Sequence, residues 1–357
     1  MLLKGIVLAC CSRLSTDRTE SAIYHIITGK KSVQTVQDIH LYKITKYYSI
    51  HKKLDRTAYN RTIAELSDEG LLTQHASTFT LEITEKGKSW LLEQKDRLPF
   101  HYFNGLKYKD AATIFLDRLT LLVQTFSNVA MKHFSFIPVV DNPLIESWVK
   151  DQYKLQKDRL RSYLEELHNE LFEILQKFKE EEASIFIDRL SGHQYYGMSW
   201  EQLAKTYHMR IEDSQLYVTG ISHAILEQMK QTHDSFPLLS NMVVEGTKKR
   251  LLTDSAYKTS ELLHKNYSME DIAIVRNLRI NTIQDHVVEI ALYQTDFPIE
   301  RYVPLHIQED ILQAIEKAAS NKLKEIKGLT EKETSYFQIR LLIACYKNIQ
   351  QVRDISV

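Results

Sequence analysis

Ser199-Trp-Glu-Gln-Leu-Ala-Lys-Thr-Tyr-His-Met-Arg-Ile211 and Ser268-Met-Glu-Asp-Ile-Ala-Ile-Val-Arg-Asn-Leu-Arg-Ile280 are two copies of one pattern. Between Ser199–Val218 and Ser268–Val287, 7 of 20 positions are identical. The shared positions each have a physical task. Ser199 and Ser268 are placed to cap a helix by taking up its orphan N–H groups. Leu203 and Ile272 anchor the first helix. Ala204 and Ala273 sit where two helices cross closely, where a larger side chain would force them apart. Met209 and Leu278 fill the turn, and Val218 and Val287 anchor the second helix. This is the pattern of a helix-turn-helix, present twice.

Towards the N-terminus the reading is of a third, different module. Ser21 to Thr28 has helical apolar spacing and ends at Gly29, a helix-stopping residue. Thr57 to Glu69 is a second helix, with Tyr59, Ile63 and Leu66 at i, i+4 and i+7 and Gly70 as its stop. Leu71 to Gln74 and Thr78 to Ile83 read as a hairpin around the polar tip His75-Ala-Ser77. Another helix begins at Thr84. The order helix, Gly-Leu-Leu, hairpin, helix is that of a winged helix-turn-helix. Met1 to Cys11 is too short to span a bilayer and is expected as a first amphipathic helix. Ala111 to Met131 reads as a strongly apolar helix and Phe134 to Pro143 as irregular. Residues 144–182 read as one long helix with a stripe at Leu160, Leu164, Leu167, Leu171, Leu175 and Phe178.

Composition agrees with a mainly α chain. Of 357 residues, only 10 are Gly and 6 Pro, while 43% are apolar, which favours helices joined by short polar turns over strands and phosphate loops. Lys plus Arg and Asp plus Glu are 46 each, so the chain is no general nucleic-acid coat, though a local basic face remains open. Three cysteines, two of them adjacent, make a disulfide framework improbable and fit a reducing cytoplasm.

One basic stretch stands out. Lys30, Lys31, Lys43, Lys46, Lys52, Lys53, Arg56 and Arg61 are opposed only by Asp38 and Asp55, giving 8 − 2 = +6, with Tyr42, Tyr47, Tyr48 and Tyr59 interleaved. Beside a recognition helix that also carries Asn60, this is a nucleic-acid footprint; the competing reading is a solvated charged face. The wing, with His75 and Phe79 near its tip, is the expected contact with a strand junction. In the repeats, the second copy offers Arg279, Asn281 and Gln284 to DNA but also Asp285 and Glu289. The first offers Arg210 and Gln215 with the acidic Glu212 and Asp213. Carboxylates repel phosphates, so packing modules are the alternative reading of both copies.

The run Ile26-Ile-Thr-Gly-Lys-Lys through Thr62 to Leu72 resembles the winged-helix part of RecQ-type helicases. Residues 255–348 are similar to the helix-turn-helix domain at the C-terminus of many RecQ helicases. The whole chain resembles the YpbB family of Bacillus and its relatives. That resemblance implies a non-catalytic accessory factor of a RecQ-like DNA helicase in replication or repair. It binds the helicase and DNA, with single-stranded or forked DNA preferred and a cytoplasmic, nucleoid-associated place. The domains expected are 1–95, a winged-helix-like module; 96–182, a helical linker or bundle; 183–250, the first repeat; and 251–357, the helicase-type helix-turn-helix domain. The motor is missing: there is no Gly-x-x-x-x-Gly-Lys-Ser/Thr loop, and the zinc-binding cysteines of RecQ proteins are absent.

No reactive centre is legible either. His-Glu-x-x-His, Cys-x-x-Cys and Gly-x-Ser-x-Gly do not occur, and the histidines, among them His208, His223, His264 and His286, lack metal-ligand spacing. The expectation is therefore no enzyme, no cofactor and no metal. A sequence-specific transcription regulator and a pure protein–protein scaffold are the competing functions.

Overall fold

The computed structural model describes residues 1–232, 235–243, 252–294, 296–318 and 322–355. The N-terminal module comprises α1 (Leu2–Leu14), α2 (Glu20–Thr28), α3 (Val33–Leu41), α4 (Arg56–Asp68), the hairpin β1 (Leu72–His75) and β2 (Thr80–Ile83), and α5 (Glu85–Gln94). The strands pair antiparallel, Leu72 with Ile83 and His75 with Thr80, and Thr19 bridges Thr80 as a third edge. Helix, bridge, helices and hairpin make a winged helix-turn-helix. Gly29 ends α2 at φ 75°, a left-handed conformation that a Cβ would strain, and such a Cβ would also collide with Ser49.

Two sequence expectations need correction here. First, α1 is not amphipathic. Leu2, Leu3, Ile6, Val7, Leu8, Cys10, Cys11 and Leu14 are all buried, because α5, β2 and α4 pack on one side and a helix of the first repeat on the other. Burial pushes the Cys11 thiol up to about 12, so it is a packing group and not a nucleophile.

The second correction concerns the long helix. After α6 (Gly105–Tyr108) and α7 (Ala111–Ala130), residues 144–182 form parts of three helices, α8 (Pro143–Gln156), α9 (Leu160–Leu175) and α10 (Glu180–Ile187). Both α8 and α9 pack on α7, and the chain turns between them at 157–159. Long-range burial of Ile145, Val149, Tyr163 and Leu167 overrides the helical propensity of the turn residues. The leucine stripe is real and faces the core.

The first repeat is α11 (Trp200–Thr206) and α12 (Ile211–Gln231), followed by α13 (Pro237–Asn241). The second is α15 (Met269–Val275) and α16 (Ile280–Tyr293), preceded by α14 (Asp254–His264) and followed by α17 (Leu305–Lys317), α18 (Leu323–Leu329) and α19 (Tyr336–Ile355).

Among the described residues, buried apolar side chains form three clusters. One joins residues 2–103 with Leu216. Another runs from Tyr108 to Met242, across the expected boundary at 182/183. The third joins Ile272 to Cys345 with Val36 of α3. The expected boundary at 250/251 lies outside the described residues.

The two repeats have one backbone. Ser199 accepts from the Gln202 N–H at 3.2 Å, and Ser268 accepts from the Asp271 N–H at 3.0 Å. In each copy the acceptor side chain at the third helical position returns the bond to the serine N–H, closing a capping box. The turns match too. Met209 N–H donates to Ala204 C=O and Leu278 N–H to Ala273 C=O, both at 2.9 Å, while His208 and Asn277 hold φ 49° and 51°.

Candidate nucleic-acid interface

Helix α4 occupies the recognition-helix position of the winged module. Asp55 caps it, accepting from the Thr57 and Ala58 N–H groups at 2.7 and 3.1 Å, which holds its carboxyl below the usual range. Ala58, Tyr59, Thr62, Ile63 and Leu66 face the core. The remaining positions at helical spacing, Thr57, Asn60, Arg61, Ala64 and Asp68, form the exposed face. Tyr59 donates to the Glu20 carbonyl at 2.8 Å, and Arg56 lies over the Tyr24 and Tyr59 rings at 4.8 and 5.3 Å while donating to the Glu20 carboxylate. Arg56 is thus partly a brace of α2 against α4. At the wing, His75 pairs with Glu82 at 3.1 Å, and Phe79, at φ 53°, is 62% exposed on the tip.

The basic stretch is not one uniform phosphate track. Lys30, Lys31, Lys43 and Lys53 are exposed. Lys46 is exposed too, but its ammonium lies over the Tyr47 ring at 4.8 Å, and partial desolvation holds it below the usual lysine range. Lys52 is 2.8 Å from Asp110, and Arg61 is 3.3 Å from Glu212. Acids from outside the stretch therefore offset part of its +6. Sequence reasoning missed these partners because they lie 58 and 151 residues away. It also missed Glu65, the α4 carboxylate that accepts from Lys4 and Arg210.

The repeats differ in what surrounds them. In the first, Arg210 forks onto Glu65 at 2.5 and 2.6 Å, Glu212 meets Arg61, and Asp213 is buried, accepting from the Leu3 N–H at 2.8 Å and from the Met1 amino group. Asp213 therefore does not belong to an outer face, and the start of α12 is covered by α1 and α4. In the second, Arg279 and Asn281 are exposed and Gln284 is half-buried. The expected outward carboxylates are corrected as well. Glu289 is buried and accepts from the Thr253 N–H and hydroxyl, and Asp285 accepts from Arg340 at 2.6 Å.

Among the described residues, no group of three or more His, Cys, Asp or Glu is arranged to hold a metal ion, and no helix is long and apolar enough to cross a membrane.

Comparison with known proteins places these features. A family model described as "Helix-turn-helix domain" matches residues 255–343, from α14 into α19. Over 353 residues, 97% of this chain and 97% of the relative, the chain is 29% identical to Protein YpbB of Bacillus subtilis (strain 168). No solved structure matches. The chain is thus a mainly helical protein, similar along nearly its whole length to Protein YpbB and carrying a helix-turn-helix domain in its C-terminal part.

Proposed function

We propose that this chain is a DNA-binding accessory factor of a RecQ-like DNA helicase, non-catalytic itself, with the winged module meeting DNA. The observation that carries the DNA half is the exposed α4 face of Thr57, Asn60, Arg61 and Ala64 beside a hairpin tipped by Phe79. Amide and guanidinium groups on a recognition helix read base edges and phosphates, and an exposed aromatic ring can stack on an unpaired base. Lys30, Lys31, Lys43 and Lys53 supply additional positive charge in the same module. The likeness to Protein YpbB supports the accessory role, and the helicase partner follows from the RecQ resemblance of the residues. Residues 1–95 then act as the DNA module, and the helical remainder as the frame that faces the helicase.

Fluorescence anisotropy with forked, single-stranded and duplex oligonucleotides tests the DNA half. Binding should be structure-selective and sequence-blind, and should weaken as salt rises. Lys53→Glu with Arg61→Glu should weaken binding and flatten the log–log salt slope by roughly 0.7–0.9 for every phosphate no longer neutralised. No binding at low salt to any of these DNAs defeats the DNA half. The partner half is tested by unwinding assays with the RecQ-like helicase of the same organism, with and without this chain; an unchanged rate and no co-elution defeat it.

A further inference from the structure

The second repeat carries an edge that its twin does not. On α15, Glu270, Asp271, Ile274 and Val275 are exposed, at i, i+1, i+4 and i+5, so they share one face. Ile274 is 79% exposed and Val275 61%; Ile280, just past the turn at the start of α16, is 36% exposed. In the first repeat Ile211, aligned with Ile280, is 38% exposed as well, but the residues aligned with Ile274 and Val275 are Lys205 and Thr206, which suit water and leave no apolar ridge. Three aliphatic side chains held out around one tight turn, fixed by the bond from Leu278 to Ala273, form a rigid apolar ridge.

Charges flank the ridge with opposite sign. Glu270 lies one turn of α15 before it, and Arg279 lies beyond it, at the cap of α16. Neither makes an ion pair with any described residue, and Asp271 is committed to the Ser268 capping box. Beside Glu270 is an open cleft of about 260 Å³, lined by Tyr267, Met269, Arg301 and Tyr302 among others.

We infer that this edge is a two-fold interface with a second copy of this chain. An isologous contact needs a surface complementary to itself: an apolar centre that meets its own image, with opposite charges on opposite sides. Antiparallel apposition about Val275 places Ile274 and Val275 against their images and brings Arg279 of each copy towards Glu270 of the other. Phosphate fits this edge poorly, because Glu270 and Asp271 would face it across an aliphatic surface. The first repeat shows that the motif serves protein packing, since α1 and α4 cover the start of its second helix. This proposal stands apart from the proposed function: a dimer neither requires nor excludes the helicase.

Sedimentation velocity of the full chain over a wide concentration range tests it. A monomer–dimer equilibrium is expected. Ile274→Glu with Val275→Glu should raise the dissociation constant at least about tenfold, with an unchanged circular dichroism spectrum and melting temperature. Glu270→Arg alone and Arg279→Glu alone should each weaken the dimer, and the two together should restore it, because both charges are then reversed across the two-fold. A wild-type chain that stays monomeric at every concentration overturns the inference. So does a dimer indifferent to Ile274→Glu/Val275→Glu, a double charge reversal that fails to rescue, or a ridge variant that loses DNA affinity while self-association is unchanged.

Discussion

The two helix-turn-helix units share caps, crossing alanines and even one left-handed turn residue, yet the starts of their second helices have opposite surroundings. In the first, Asp213, Ser214 and Leu216 are buried against the winged module. In the second, the aligned Thr282, Ile283 and Asp285 include only one buried residue, and Arg279 and Asn281 face outward where Arg210 and Glu212 are half-buried. The motif is therefore a frame. What it meets is decided by a few side chains that neither cap nor cross.

The largest expected contrast is at the aligned pair Asp213 and Thr282. Asp213→Ala leaves the buried Leu3 N–H without its acceptor and removes the partner of the exposed Met1 amino group, and should cost about 3 kcal/mol. Thr282→Ala should stay within about 0.5 kcal/mol. Chemical denaturation of both variants measures the difference; equal losses would erase the distinction between the units.

Acid should act next on the first unit. Burial holds His51 and His223 at about 4, against an ordinary 6.5. His51 lies near Glu212 and Gln215 of α12, and His223 is on α12, accepting from the Asn104 N–H through Nδ1 at 3.3 Å. Folding keeps both rings neutral, so the unfolded chain binds more protons. Stability is complete above the unfolded value of 6.5 and falls as pH drops from there to about 4. A tenfold difference in proton affinity between the folded and unfolded chain is worth about 1.4 kcal/mol, so the loss is roughly 3 kcal/mol for each ring. Melting temperatures across this range should fall, and His223→Gln should flatten the curve; a pH-independent melting temperature would show that neither ring is held neutral.

A smaller effect is expected at Arg210 and its counterpart Arg279. A double-mutant cycle of Arg210→Ala and Glu65→Ala should give a coupling of about 1 kcal/mol, since the fork is only partly shielded from water. Arg279→Ala should leave monomer stability unchanged. The smallest effect lies in what the units share. His208→Gly should stabilise by about 0.5 kcal/mol by relieving a left-handed φ, and Asn277→Gly by less, because Asn tolerates that region. Opposite signs at these two positions would mean that the turns are not equivalent.

Much of this was legible in the sequence because its causes are local. Ser199 and Ser268, the small residues at 204 and 273, Gly29 and Gly70, and the alternation of Thr80 to Ile83 act through neighbours a few positions away. The break of α8 from α9 was not legible. No Gly or Pro marks 157–159, and the bend is imposed by α7, on which both helices lie. The candidate interface was half legible. The run of positive charge could be counted, but Lys52 meets Asp110 and Arg61 meets Glu212 only after folding. The role of α3 was hidden for the same reason. Thr35, Gln37 and Asp38 are buried polar residues that look like a solvated face until Arg18 and Arg340 are set beside Asp38 and Gln37.

That helix ties synthesis to assembly. Val36 belongs to the apolar cluster built by residues 272–345, and Gln37 accepts from Arg340 at 2.9 Å. A ribosome adding ~5–20 residues per second needs on the order of tens of seconds after finishing α3 before those partners emerge. For that interval the nascent winged module carries an unclosed side, which only a much later-made part of the polypeptide can shut.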